Sequence, residues 1–291
     1  MAKVKNKIKP VDAPVYRYWE AFYMAFYSRN LYIDVGKRWK GLGLLYLLLL
    51  IAVLSIPFSL RLTSDFNTTF NEQLINPLMQ LPTVYVQKGQ VSFDHPMPYL
   101  IKNNKDQVVL IVDTTGQVQT IDARYPNLSI LITKDRIYYK IPTPQLFGME
   151  ESPPNPGVPM SQIFGKNTNM VFNGKQILED NTITGLKFAS QLLIYPVVIA
   201  ILYSMFVIIF LVFGFLGQVF ARIFFSFQIS FKQSSRLFMV SVTPMMYLLM
   251  TILTLNFIFP GSGIILLGLA VCYFSFAIFS LRQDSRRVTT V

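Results

Sequence analysis

Cysteine and histidine are almost absent from this chain. Its 291 residues include one cysteine, Cys272, and one histidine, His95. A single cysteine cannot form an intrachain disulfide or a thiolate cluster. A single histidine likewise excludes multi-histidine metal sites within one chain. The sequence also lacks a Walker loop, a dinucleotide-binding fingerprint, an HExxH motif and a CxxC motif. We therefore expect no cofactor and no metal.

Charged residues are scarce as well, at 14% of the chain, whereas hydrophobic residues make up 52% and the mean hydropathy is +0.42. This balance is typical of membrane proteins. Four apolar runs are long enough to cross a bilayer, and they occupy residues 41–60, 191–217, 237–259 and 264–281. None carries an ionisable side chain at its centre, which disfavours an ion-coupled carrier formed by this chain alone.

The basic residues are unevenly distributed between the segments that flank these runs. Of the 26 Lys and Arg residues, 15 fall outside the insert at residues 61–190 and 11 within it, whereas the 15 acidic residues divide into four and 11. The whole net charge of +11 therefore lies on the side that the positive-inside rule assigns to the cytosol. We expect both termini in the cytosol, the insert on the other side of the membrane, and contact with anionic lipids in place of nucleic acid.

Two segments combine aromatic residues at helical spacing with basic residues, a pattern that indicates helices lying in the membrane interface. The first, Val15–Tyr32, belongs to the cytosolic segment 1–40, which begins with a basic tail; a soluble core helix is the alternative. The second is the cytosolic segment 218–236, and the chain ends in a cytosolic tail at residues 282–291. The candidate interface residues of the two segments are Trp19, Phe22, Phe26, Arg222, Phe224, Phe227, Lys232 and Arg236.

The insert at residues 61–190 begins with a predicted helix and continues with alternating apolar residues that predict three hairpins. Their turns are Lys88-Gly89, Asp113–Gly116 and Lys134-Asp135. Three consecutive hairpins predict a small antiparallel sheet. The proline-rich stretch Pro142–Pro159 is expected to be an extended linker, with a partner-binding arm as the alternative.

The most suggestive chemical motif is Asp113-Thr114-Thr115-Gly116, which follows an apolar strand much as the catalytic loop of aspartic proteases does. The extra threonine departs from the Asp-Thr-Gly spacing, and no second copy supplies the other carboxylate that such a protease needs. We expect Asp113, Thr114 and Thr115 to cap backbone donors in a turn, and the three are also candidate partner positions of the insert. His95 is expected to face solvent in another turn.

Several segments together resemble the bacterial membrane proteins of domain-of-unknown-function family 1189. They are FYMAFYSRNLYIDVGKRWKGLGLLYLLLL, VYVQKGQVSF, LIVDTTGQV, LITKDRIYYK and FKQSSRLFMVSVTP, and they run from about Phe22 to Ala277. The resemblance implies a location in the bacterial cytoplasmic membrane and supplies no catalytic residues. A remoter likeness of the helical half to Yip-type membrane adaptors slightly favours an adaptor role.

The sequence thus predicts an α+β integral membrane protein with four transmembrane helices and a small antiparallel β-sheet domain, extracytoplasmic, between spans 1 and 2. The first functional hypothesis is a non-enzymatic adaptor or accessory subunit that binds a protein partner in the membrane or periplasm. The second is a lipid-handling component of a transport system. The third is a membrane hydrolase that uses Asp113.

Overall fold

The computed structural model describes residues 13–140, 155–165, 169–179, 182–257 and 259–289. Contacts divide the chain into a helical unit, made of the chain up to Leu60 and from Tyr195 onward, and a sheet unit from Arg61 to Ile194. The predicted insert falls inside the sheet unit. The basic tail with Lys3, Lys5, Lys7 and Lys9, and residues 142–154 of the proline-rich stretch, lie outside the described residues.

Most of the helical unit consists of long apolar helices. In chain order the helices of the whole molecule are α1 (Tyr18–Met24), α2 (Arg29–Lys37), α3 (Leu44–Leu54), α4 (Ile56–Phe70), α5 (Asn76–Met79), α6 (Met160–Phe164), α7 (Gly174–Glu179), α8 (Thr182–Phe225), α9 (Phe231–Ser241), α10 (Thr243–Leu255) and α11 (Ser262–Thr289). A π-helical turn, Asn71–Ile75, joins α4 to α5. The helices α4 and α8 run from one unit into the other.

Two helices are each long and apolar enough to cross a membrane, namely the Ile183–Phe225 and Ser262–Arg286 segments of α8 and α11. Two bent pairs pass the same test: α3 with the helical segment Ile56–Met79, at 46°, and α9 with α10, at 44°. The described residues therefore hold two candidate spans, or up to four if each bent pair is one span. Both bends occur where a proline, Pro57 or Pro244, is the second residue of the following helix, because proline has no N–H and clashes with the preceding turn.

Both predicted interfacial segments are organised differently from the sequence interpretation. The first is two helices, α1 and α2, because the chain turns at Ala25–Ser28 and the Ser28 hydroxyl caps the new helix by accepting from the Leu31 N–H. In the second segment, helix α8 continues to Phe225, and the chain leaves the helix at Ser226, whose φ of 48° lies in the left-handed region. The single helix predicted over Val15–Tyr32 is thus wrong, whereas the interfacial position of both segments stays a prediction.

The sheet unit contains two sheets. Their strands are β1 (Val84–Gln87), β2 (Gln90–Ser92), β3 (Tyr99–Lys102), β4 (Val108–Asp113), β5 (Ile130–Thr133), β6 (Arg136–Tyr139), β7 (Val158–Pro159) and β8 (Met170–Phe172). The strand orders are β2-β1-β8 and β3-β4-β5-β6-β7. The first predicted hairpin is confirmed as β1–β2, with positive φ at both Lys88 and Gly89, and the third is confirmed as β5–β6.

The second predicted hairpin is wrong, and so is the expectation of an entirely antiparallel sheet. Residues 118–121 form no strand, and β4 pairs antiparallel with β3 and parallel with β5. The physical reason is that strand β4 is buried on both of its faces. Leu110 and Val112 belong to a core that both sheets share, whereas Ile111 packs against Val118 in a second cluster. The connection after β4 therefore covers the far face of the sheet.

Candidate functional site

The Asp113 carboxylate lies at the end of β4 and is fully buried. Its Oδ1 accepts hydrogen bonds from the Thr115 N–H at 2.8 Å and the Thr115 hydroxyl at 2.6 Å, and its Oδ2 accepts one from the Val118 N–H at 2.5 Å. Thr114 is partly buried and Thr115 is exposed. Both carboxylate oxygens are therefore engaged by the loop that follows the strand.

The environment of Asp113 favours its charged form. Burial raises the pKa of this carboxyl, but the hydrogen bonds from the Thr115 hydroxyl and from the N–H groups of Val118, Thr115 and Gly116 outweigh burial and hold the pKa below its ordinary value. A carboxylate held ionised by its own loop is an acceptor that fixes the turn. This geometry is that of a cap, and it differs from two carboxyls sharing a proton.

His95 is exposed, as expected for a turn histidine. Its ring stacks on Tyr99 at 5.3 Å between centroids and meets the edge of Phe93 at 5.0 Å. These contacts place it in a small aromatic cluster at the start of β3.

The three aromatic candidates near the N-terminus divide between the inside and the outside of the helical unit. Trp19 is 58% exposed, and the Arg17 guanidinium lies 4.9 Å from the centre of its ring. Phe22 is partly buried and packs against Tyr46 at 5.7 Å. Phe26 is 41% exposed and contacts α10 and α11. The structure therefore does not gather these side chains into one site.

The candidates around the end of α8 are mostly exposed. Phe224 is 71% exposed, Arg222 and Lys232 are exposed, and Phe227 is partly buried. Beside them α8, α9 and α11 enclose an apolar groove of about 180 Å³, and its lining consists of Phe213, Leu216, Gly217, Phe220, Phe238, Val271 and Phe274. Gly217 is required there, since a Cβ would lie 2.6 Å from both Phe274 Cζ and the Ser234 hydroxyl. We name this feature the aromatic groove.

Arg236 departs from the exposed interface position that the sequence indicates. It is 8% exposed, and its guanidinium donates hydrogen bonds to the carbonyl oxygens of Gly36 and Trp39 at the C-terminal end of α2. Gln233 donates to the same Gly36 carbonyl, at 3.3 Å. Helix C-termini leave carbonyls without intrahelical donors and favour cations. Arg236 thus caps α2 from a neighbouring helix and is unavailable to a partner.

Asp34 is a buried polar residue that the sequence interpretation missed. Its carboxylate accepts from the backbone N–H groups of Val15 and Tyr16, each at 3.1 Å, and from Trp39 Nε1 at 3.2 Å, and it pairs with Arg38 at 3.2 Å. It ties the chain before α1 to the end of α2. In the sequence, the only signal of this role is that Asp34 is an acidic residue within an aromatic, basic segment.

The sequence profile of a family described as "Protein of unknown function (DUF1189)" matches residues 19–278. The chain belongs to the DUF1189 family. No curated protein and no solved structure matches the chain.

The DUF1189 match confirms the resemblance drawn from the five quoted segments, and it covers every candidate residue from Trp19 to Arg236. The matched residues include parts of both units. Among the described residues of this DUF1189 protein, no group of three or more His, Cys, Asp or Glu side chains is placed to hold a metal ion.

Proposed function

We propose that this DUF1189 protein is a non-enzymatic integral membrane adaptor, an accessory subunit whose sheet unit binds a protein partner in the bacterial envelope. The observation that carries this proposal is an apolar strand at the edge of a sheet. Strand β8 pairs with β1 on one side, and no other described strand pairs with its second edge. Val171 is 57% exposed and Met170 is 40% exposed on this strand.

An exposed edge strand offers a row of unpaired N–H and C=O groups to which an extended segment of another chain can add. In such complexes the main-chain hydrogen bonds supply affinity and side chains such as Val171 supply specificity. Proteins normally protect exposed edge strands with charged residues or proline, and the sequence Met170-Val171-Phe172 contains neither. The partner that fits is a protein with an extended apolar segment.

The proposal includes four spans, with both termini in the cytosol and the sheet unit outside the cytoplasmic membrane. The two bent helix pairs support the count of four, because each pair has the length and composition of one span. The distribution of basic residues supports the orientation. Anionic lipids at the cytosolic surface would then contact exposed basic residues such as Arg222 and Lys232.

The test is site-specific photo-crosslinking in cells that express the full chain. A photoreactive amino acid at Val171 is expected to give a discrete crosslinked product. The same amino acid at Leu100, an exposed apolar residue of the other sheet, serves as the matched control and should give none. Val171→Asp should abolish copurification of the crosslinked protein, whereas Leu100→Asp should preserve it. A chain that always purifies alone and forms no crosslink at Val171 would refute the adaptor proposal.

The aromatic groove favours a second candidate function, that of a lipid-handling component. Its lining is entirely apolar apart from the glycine, and it opens between two helices of membrane-spanning length. We expect phospholipid to copurify and to be lost when Val271→Trp, at an exposed lining residue, fills the groove or Phe224→Asp places a charge beside it. Unchanged lipid content in both variants would reject this candidate.

A further inference from the structure

Three aromatic side chains form an exposed row along α1 and the turn that follows it. Trp19, Tyr23 and Tyr27 are spaced four residues apart, so they lie on one side of the helix and its continuation. Each of the three is more than half exposed. We name this row the α1 stripe. Large exposed apolar surfaces mark places where a protein meets a partner or a membrane.

The opposite side of α1 is packed inside the helical unit. Ala21 is fully buried there. The Tyr18 ring meets the edge of the Trp39 ring at 4.7 Å between centroids, and Phe22 packs against Tyr46. These contacts fix the rotation of α1 about its own axis. The α1 stripe therefore faces outward as a consequence of how the helix is packed.

The outward side of α1 continues into the exposed surface of α11. Phe26, in the turn after α1, lines a cleft of about 210 Å³ together with Cys272, Tyr273 and Phe276 of α11. Phe26 and Cys272 are exposed, so the cleft opens to the surroundings of the helical unit. The helix α11 is long and apolar enough to cross a membrane, and its exposed apolar side chains would then face lipid. The α1 stripe therefore adjoins a surface that is suited to acyl chains.

The residue types of the α1 stripe suit the boundary between acyl chains and headgroups. Tryptophan and tyrosine combine an apolar ring with a polar end, and they are enriched at the interface between membrane and water. The Arg17 guanidinium lies 4.9 Å from the centre of the Trp19 ring, so a cation stands at one end of the stripe. Its N–H groups are donors of the kind that bind phosphate oxygens, which every phospholipid headgroup carries.

We propose that the α1 stripe is a membrane-docking surface and that its occupant is the headgroup boundary of a phospholipid leaflet. Trp19, Tyr23 and Tyr27 contact the lipid. Phe22, on the packed side of the same helix, and Trp39, which is buried, do not. The proposal rests on the membrane placement of the helical unit in the proposed function, and it adds the surface by which the N-terminal segment meets the lipid. It is independent of the β8 edge and the aromatic groove.

The two tryptophans of the chain provide a direct assay, because Trp19 is exposed and Trp39 is buried. The purified full chain is reconstituted into vesicles of phosphatidylcholine, either unmodified or dibrominated on one acyl chain. Bromine quenches tryptophan fluorescence only at short range. Wild type should lose most of its Trp19 emission in brominated vesicles, whereas Trp19→Phe, in which Trp39 alone emits, should lose little. Equal fractional losses in the two proteins would overturn the proposal.

The position of the bromines on the acyl chain tests the depth of the stripe. Bromines near the carboxyl end should quench Trp19 more strongly than bromines near the methyl end, because an interfacial helix buries its apolar side only about 5–10 Å into the leaflet. Iodide dissolved in the water serves as the complementary probe. Stronger quenching by the deep bromines, or quenching by iodide alone, would contradict the headgroup boundary as the occupant.

Two reporter variants, both in the Trp19→Phe background, separate failure of this proposal from failure of the proposed function. Phe215→Trp adds a tryptophan at an exposed position of α8, where brominated lipid should quench it if the helical unit lies in the bilayer. Leu100→Trp adds one at an exposed position of the sheet unit, where lipid should not quench it. Quenching at position 215 without quenching of Trp19 would refute the α1 stripe alone, and the absence of quenching at both would refute the membrane placement as well.

The other two positions of the α1 stripe are tested in the same background. Tyr23→Trp and Tyr27→Trp should each restore the quenching that Trp19→Phe removes, because both positions are exposed on the same side of α1 and its continuation. The substitutions exchange one exposed aromatic ring for another, so the fold should be preserved. No restoration at either position would overturn the stripe as a lipid-contacting surface.

Discussion

Asp113→Ala is expected to destabilise the sheet unit by about 3 kcal/mol without affecting the helical unit. The substitution removes the acceptor of three hydrogen bonds, from the Thr115 N–H, the Thr115 hydroxyl and the Val118 N–H. Hydrogen bonds to a charged group contribute about 1.5–3 kcal/mol each, and bonds that share one carboxylate are not additive. Asp113→Asn keeps one carbonyl oxygen and should cost about half as much.

The assay separates the two units because both tryptophans, Trp19 and Trp39, belong to the helical unit. Their fluorescence follows that unit, and pulse proteolysis with trypsin, at sites such as Lys134, follows the sheet unit in a urea series. With a urea slope of about 2 kcal/mol/M, Asp113→Ala should lower the proteolysis midpoint by roughly 1.5 M. Asp94→Asn, an exposed aspartate of the same unit, should leave the midpoint unchanged.

The pH dependence has a definite sign. The folded-state pKa of Asp113 is lowered, so its stabilisation is fully present above the unfolded pKa of about 3.9 and is lost as the pH falls through the folded pKa. The difference between wild type and Asp113→Asn should therefore be largest at neutral pH and shrink below about pH 4. Equal midpoints at pH 7 would refute the capping role, and a gap that widens on acidification would contradict the lowered pKa.

Two further substitutions test the packing of the helical unit, both by urea unfolding followed through tryptophan fluorescence in detergent. Arg236→Met leaves the Gly36 and Trp39 carbonyls without their donor and should lower the free energy of unfolding by about 2–4 kcal/mol. Arg236→Lys should have an intermediate effect, because an ammonium lacks the planar fork of a guanidinium. An unchanged free energy of unfolding with methionine would reject the capping role. Gly217→Ala should lower the free energy of unfolding by about 1–3 kcal/mol through overpacking against α9 and α11. Gly268→Ala should be neutral, because no atom lies within 4 Å of the new Cβ. Equal effects of the two substitutions would contradict the close approach at Gly217.

The features that the sequence alone predicted are those with a local cause. The apolar runs follow from length and hydropathy, and the β1–β2 turn follows from Lys88-Gly89. In each of these cases the residues that cause the structure lie within or next to the element itself. A single sequence therefore sufficed to place them.

The missed features depend on contacts between distant segments. The basic and aromatic neighbours of Arg236 in the sequence predict an interface position, yet its acceptors lie about 200 residues earlier. The second predicted hairpin requires a strand at residues 118–121, whereas Val118 packs with Ile111 on the buried outer face of β4. The pairing of β4 with β5 has no local signature either, since it arises from the register between separate strands.

The pairing of β1 with β8 has a consequence for synthesis of the chain. Tyr85 lies opposite Val171, so the three-stranded sheet closes a loop of 86 residues. Translation at 5–20 residues per second supplies that length in about ten seconds, during which β1 has only β2 as a neighbour. Any chain interrupted before Phe172 therefore presents an unpaired apolar edge. The sheet unit should be most exposed to mispairing and proteolysis in this interval, before its last strand has been made.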